Sequence, residues 1–317
     1  MYEKIILVTR KTRLEGLVER FNTKAQARFY INQSAKQQGN NTDAFAFYER
    51  EHDTYYASVE KLLMSLEPLA KVQSLERSFL PNFLFAPTDL IVTIGIDGLV
   101  VNTAKYLNGQ PIIAVNPDPK HVDGILLPFN VTTAPTAARQ LLSGAGRVTP
   151  ITMAEAKLND GQTLFAFNDL FVGVRTHVSA RYRIQWGQQA ENHSSSGLIV
   201  STGAGSTGWL SSMFNMANGM VKAFGQEDVS GAVAAPRLGW DTDRLLFVVR
   251  EPFISKTSGA GIVCGAITPQ TPLVLESQMP EGGVIFSDGV EADYLQFNSG
   301  AIATIGIAGK KTNLVVA

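Results

Sequence analysis

Residues 89–98, DLIVTIGIDG, constrain the fold of this chain more than any other stretch. A run of β-favouring apolar residues, Leu90, Ile91, Val92 and Ile94, ends in two glycines flanking one acid, and a helix-like segment follows. An apolar run without alternation fits a parallel strand covered on both faces. Residues 95–98 should then lie at the strand's carboxyl end, where open α/β sheets bind ligands. Gly95 and Gly98 let a backbone approach a phosphate closely. Asp97 would repel that phosphate unless it holds a metal or takes a proton. Taken alone, the same residues also read as a tight turn with Asp97 capping the helix.

The flanking sequence repeats the pattern. KIILVT at 4–9 reads as a first buried strand that runs into Arg10, Lys11 and Arg13, ahead of one amphipathic helix over 14–37. Positive charge at a strand's carboxyl end suits a triphosphate, although cations opening a surface helix are also simply solvated. A helix over 49–66 carries the stripe Tyr55, Val59, Leu62, Leu63 and Leu66, which reads as core. Pro81 and Pro87 break the chain before the central strand. After Gly98 a helix over 99–107 should end at Asn108 and Gly109, with PIIAVN at 111–116 as the next buried strand. Strand alternating with helix makes this half a parallel α/β sheet, with a domain boundary near 130.

From about 148 the period shifts to two. Val178, Ala180, Tyr182, Ile184 and Trp186 alternate with polar residues, as in a half-exposed antiparallel strand. Further strands are expected at 164–167, 170–174, 198–201, 245–249, 273–275, 284–286 and 301–307, so the second half is mainly β. One helix interrupts it, with Leu210, Met213, Phe214, Ala217, Met220, Val221 and Phe224 at helical spacing. The glycine-rich residues 203–207 should open directly into its amino terminus, where free N–H groups favour an anionic ligand.

Composition narrows the chemistry. With 45% hydrophobic residues in 317, the chain can bury a large core and should form two domains. Its 27 basic and 28 acidic residues leave a formal charge of -1, which gives no reason to expect nucleic acid or a membrane as partner. The amino-terminal apolar run is too short for a secretory signal. The single cysteine, Cys264, cannot form an internal disulfide, which fits a reducing, cytoplasmic setting, and its apolar surroundings read as core. The four histidines lack metal-ligand spacing, so no protein metal site is assigned. There is no G-x-S-x-G elbow and no G-x-G-x-x-G fingerprint after the early strands, which leaves phosphoryl transfer ahead of hydrolysis and hydride transfer.

Several motifs in order resemble the NAD kinase family: GIDG at 95–98, NPDP at 116–119, DGILLPF at 123–129, FND at 167–169 and SSGLIVSTGAGSTGW at 195–209. REPF at 250–253, SDG at 287–289 and FNSGAIA at 297–303 look most like its mitochondrial-type branch. The resemblance covers roughly residues 1–310. It implies an α/β amino-terminal domain over 1–130 that binds ATP and a β-rich dinucleotide-binding domain over 131–317. The last residues are expected to pack back on the first domain. It also implies a site in the cleft between them, and a homodimer or homotetramer.

In that family an aspartate matching Asp97 acts as general base on the adenosine ribose 2′-hydroxyl of NAD, which then attacks the terminal phosphate of Mg2+-bound ATP. Gly95 and Gly98, with Arg10 and Lys11, would face the phosphates. Asn168 and Asp169 match the family's dinucleotide-binding pair, leaving the Asp169 carboxylate to hold ribose hydroxyls or a metal. Gly205, Ser206, Thr207, Gly208 and Trp209 match its adenosine and ribose segment, with Trp209 available to stack, and Ser212 matches a serine three residues further. Thr202 is assigned to the same binding, as is Ser196, which stands where many members carry an acid and the mitochondrial-type branch tends to have serine. Ile96 stands where the family has a second glycine. If that position needed φ > 0, a β-branched side chain would cost at least ~1 to 2 kcal/mol. The alternatives to NAD kinase activity are a non-catalytic nucleotide-binding protein of the same fold and a kinase for a lipid or sugar hydroxyl. ATP and polyphosphate both remain open as donor.

Overall fold

The computed structural model describes residues 2–37, 43–224 and 233–316. The chain divides into two compact units, one of residues 1–149 with 313–317 and one of residues 150–312. The boundary expected near 130 falls inside the first unit, because the segment beyond it still builds that unit's sheet and core.

In the first unit β1 (Lys4–Thr9) leads into α1 (Arg13–Phe21), α2 (Lys24–Gln37) and α3 (Ala46–Leu66). These are followed by β2 (Lys71–Glu76), β3 (Asp89–Ile94), α4 (Asp97–Ala104), β4 (Pro111–Asn116), β5 (Phe129–Asn130) and α5 (Ala134–Leu142). The strands pair in parallel in the order β2, β1, β3, β4. All six residues of β3 and of β4 are buried, which is why neither shows alternation. Leu7, Val92 and Val115 pack on one face against the α3 stripe of Tyr55, Leu62 and Leu66 and against Ala137, Ala138 and Leu141 of α5. Beyond 130, β5 continues the parallel pairing onto Val115 and Asn116 of β4.

The single helix expected over 14–37 is two. Thr12 and Glu15 form a capping box that starts α1, and Asn22 at φ 63° ends it in the left-handed conformation, so α2 begins afresh at Lys24. The exposed edge strand β2 lacks an apolar run and escapes sequence reading for that reason.

The second unit begins within β6 (Val148–Leu158), followed by β7 (Thr163–Ala166), β8 (Asp169–Val174), β9 (Ala180–Trp186), β10 (Gln189–Ser195) and β11 (Leu198–Ser201). Then come α6 (Trp209–Phe224), β12 (Leu245–Val249), β13 (Cys264–Ile267), β14 (Leu273–Ser277), β15 (Gly283–Ser287), β16 (Val290–Gln296) and β17 (Ile302–Val315). One sheet runs β13, β12, β11, β8, β15, β16, antiparallel throughout. The other runs β10, β9, β14, β17, with β6 beside β17 and β7 beside β6.

Tyr182, Ile184 and Leu275 from one sheet and Val172, Val200 and Phe247 from the other fill the core they share. The alternate residues Phe171, Ile199 and Val284 face outward, where Leu210 of α6 covers them. Cys264, expected in the core, is exposed, because β13 is an edge strand of its sheet. No helix among the described residues is long and apolar enough to cross a membrane.

Candidate functional site

The first cluster forms at the carboxyl ends of β1, β3 and β4. Gly95 closes β3 with its N–H donating to Val115 O at 3.1 Å, and a Cβ there would sit 3.1 Å from Leu99 and 3.4 Å from Arg10. A Cβ at Gly98 would meet nothing within 4 Å, so no protein contact demands glycine there. Ile96 sits at φ −111° and ψ 167°, ordinary extended backbone before the first helical residue. The strain expected from a β-branched residue is therefore absent.

Asp97 does not cap α4; it is the first helical residue, after Ile96 in the cap position. Its carboxylate instead accepts the N–H groups of Ile125 and Leu126, each at 3.1 Å. The turn that offers them is built by the two motifs that follow. Asn116 anchors it by donating to Val122 O at 2.8 Å and accepting from Asp118 N at 3.0 Å. Gly124, at φ 58° and hard against Leu127, makes the reversal. The half-buried Asp97 thus faces the 123–129 segment from the end of β3.

Arg10 lies beside this turn. Its guanidinium pairs with Glu51 at 2.9 Å and covers the Tyr55 ring at 5.0 Å. Tyr55 accepts from Arg10 N at 2.9 Å and donates to Ile94 O at 3.2 Å, and burial pushes its hydroxyl up to about 12. A cavity of about 130 Å³ opens here, lined by Arg10, Arg13, Arg50, Phe47, Ile96 and His121 among others. Lys11 is absent from that lining and pairs with Glu19 of α1, which raises its ammonium. Sequence reading missed Arg50 and Phe47, one to two turns N-terminal of Tyr55, because only the apolar stripe of α3 carries a signal.

The second cluster lies in the second unit, where β8 begins and β11 ends. Thr202 donates through Oγ1 to Phe167 O at 2.6 Å and through its N–H to Asn168 O at 2.9 Å. A Cβ on Gly205 would fall 2.1 Å from Asn168 O, so only glycine fits. On the other side Asp288 takes the N–H groups of Phe167, Asn168 and Asp169 at 3.0, 2.7 and 3.2 Å. Burial, reinforced by the charge of Asp288, pushes the Asp169 carboxyl up to about 7. Thr202 and Gly205 thus hold the turn of Asn168 and Asp169 from one side and Asp288 holds it from the other. Asp288 was legible only as part of the SDG motif.

The glycine-rich segment does not open directly into α6. Ala204–Thr207 forms a 3₁₀ turn first. Its N–H groups are spent internally: Gly205 on Thr202 Oγ1 at 3.2 Å, Ser206 on Gly203 O at 3.3 Å and Gly208 on Gly205 O at 2.9 Å. The expected free donors for an anion are therefore taken at these positions. Ser206 is buried and donates to Gly203 O at 2.7 Å, whereas Thr207, Gly208 and Ser212 are exposed at the start of α6.

Trp209 turns away from this cluster, stacking on Phe171 at 5.8 Å with the Arg250 guanidinium 5.6 Å over its ring. Ser196 is exposed before the far end of β11, its N–H on Arg250 O at 3.0 Å, so the length of that strand separates it from Thr202.

No protein-family model matches the chain. Over 157 residues, 45% of the chain, it is 31% identical to the NAD kinase of Heliobacterium modesticaldum, spanning 53% of that protein's length. Among solved structures, yeast NADH kinase complexed with NADH superposes with a TM-score of 0.60 at 13% identity, covering 100% of this chain and 84% of that one. An NAD kinase from Archaeoglobus fulgidus in complex with ATP gives 0.57 at 14%, covering 98% and 92%. The fold is that of the NAD kinases. This agrees with the resemblance carried by the motifs, and the α/β first unit and mainly-β second unit follow the NAD kinase pattern.

Proposed function

We propose that the chain is an NAD kinase, transferring the terminal phosphoryl group of ATP to the adenosine ribose 2′-hydroxyl of NAD to give NADP. The observation that carries this reading is the Asp97 carboxylate fixed at the carboxyl end of β3, in a chain that shares its fold with NAD and NADH kinases. An ionised carboxyl accepts about four hydrogen bonds. The two N–H groups from the 123–129 turn therefore orient Asp97 without exhausting it. In this reading Asp97 takes the hydroxyl proton as the oxygen attacks phosphorus, a contribution of about 10²- to 10⁴-fold. Arg10 and the arginines beside it would hold the donor's phosphates, and alignment supplies the rest of the rate. Asn168 and Asp169 would bind the dinucleotide sugar.

No cluster of three or more His, Cys, Asp or Glu gathers among the described residues. A magnesium ion that arrives on substrate phosphates needs none, so the residues present fit Mg-ATP. When bound, that ion neutralises developing charge on the phosphates.

Purified protein with Mg-ATP and NAD should form NADP, and Asp97→Asn should lower kcat by about 10²- to 10⁴-fold while NAD binding persists. Absence of NADP with every donor and divalent metal tried would defeat the reading. A dinucleotide-binding protein without turnover is the second reading, favoured by the Ile96 side chain standing in the cavity wall. Calorimetry that detects NAD binding and no ATP binding would select it.

A further inference from the structure

We propose that Asp288 is the positioning residue of the dinucleotide site: its carboxylate, by taking three consecutive N–H groups, sets the turn that presents Asn168 and Asp169 to the sugar. The inference rests on the NAD kinase reading for what the turn binds, and on geometry for how the turn is set.

Asp288 lies in the SDG turn between β15 and β16 at φ 56°, a left-handed conformation that a non-glycine residue rarely holds. The consequence of that conformation is visible in its contacts. The carboxylate reaches Phe167 N at 3.0 Å, Asn168 N at 2.7 Å and Asp169 N at 3.2 Å, while its own N–H donates to Asp169 O at 2.9 Å. Three successive N–H groups converging on one anion form a nest, in which a charged acceptor makes stronger bonds than a neutral one. The carbonyl side of the same turn is fixed independently, Phe167 O and Asn168 O by Thr202, with Gly205 packed against Asn168 O. The side chains of Asn168 and Asp169, both half-buried, are those assigned to the sugar.

Asp288 also sets the charge of what it presents. Ser201, Thr202 and Gly205, which meet the turn from β11 and the segment after it, carry no charge, and Asp288 is the charged group acting on Asp169. Its field adds to burial in holding the proton on Asp169. A neutral carboxyl donates as well as accepts, whereas a carboxylate only accepts, so dinucleotide affinity should follow the ionisation of Asp169.

Asp288→Asn in the full chain tests this. The variant preserves shape but sets an amide against the Phe167 N–H and removes the charge. The KM for NAD should rise about tenfold, with kcat changed less than about threefold and the KM for ATP unchanged. The ¹³C titration of the Asp169 carboxyl, read without ligand, should move to lower pH by about one unit or more, because a like charge has gone. A second variant, Asp169→Asn, should flatten the pH dependence of NAD affinity between about pH 5 and 9. An unmoved Asp169 titration in folded Asp288→Asn, or a pH dependence that survives Asp169→Asn, would overturn the proposal. Wild-type protein that binds no NAD would instead defeat the kinase reading, while the ligand-free titration still decides whether Asp288 governs Asp169.

Discussion

At the scale of single residues, Asp169 carries the clearest consequence for the free protein. Its carboxyl sits near 7 in the fold against an ordinary value of 3.8, so the folded state binds the proton more tightly than the unfolded chain does. That contribution is fully present below about pH 4 and is lost as pH rises through 7, up to roughly 4 kcal/mol for a shift of this size. Urea unfolding of the ligand-free protein should therefore show stability falling between about pH 4 and 7, and Asp169→Asn should remove this component. A stability profile that coincides for the two proteins would count against the burial of this charge. Asp169 was readable in the sequence as half of a motif, but its high affinity for a proton was not. That property comes first from burial and then from the charge of Asp288, more than a hundred residues away, and no local pattern announces either.

At the scale of elements, the two glycine-rich stretches ask different things of their glycines. A Cβ at Gly205 would overlap the Asn168 carbonyl, so Gly205→Ala should cost about 1–3 kcal/mol or more in thermal unfolding and weaken NAD binding together with it. Gly98 faces open space, so Gly98→Ala should leave the melting temperature within a degree or two, and any loss of turnover would report contact with substrate. Equal destabilisation by the two substitutions would contradict the packing described for Gly205.

The strands that carry these turns were the legible part. β3, β4 and β11 follow from unbroken apolar runs, and α3 from its 3.6-residue stripe. The 3₁₀ turn before α6 and the break at Asn22 were not legible, because each depends on one backbone conformation inside an otherwise periodic segment. Arg50 and Phe47 went unseen for a related reason: α3 was read from the face it buries, and they line a cavity.

At the scale of the whole molecule, two units were legible from the change of period, while their boundary was not. The segment after 130 looks like a departure from the first pattern, yet β5 and α5 extend that pattern on β4 and the core beneath it. Nor does the second unit keep all of the last strand. β17 pairs with β14 at Ile302–Ile305, and its final residues Asn313 and Leu314 lie parallel to Pro111 and Ile112 of β4. Leu314 and Val315 are 2% exposed. Removing residues 313–317 should therefore destabilise the first unit by about 3–6 kcal/mol, the burial of two aliphatic side chains, measurable as an earlier unfolding transition. An unchanged transition would show that the pairing contributes little.

The same pairing fixes an order of events at synthesis. The first sheet begins to emerge from the ribosome with residue 4, yet the edge of β4 at Pro111 and Ile112 has no neighbour until Asn313 and Leu314 follow, about two hundred residues after it. During that interval the nascent chain carries an open template for any passing strand, and chaperone occupancy should concentrate there until the polypeptide closes the circle on itself.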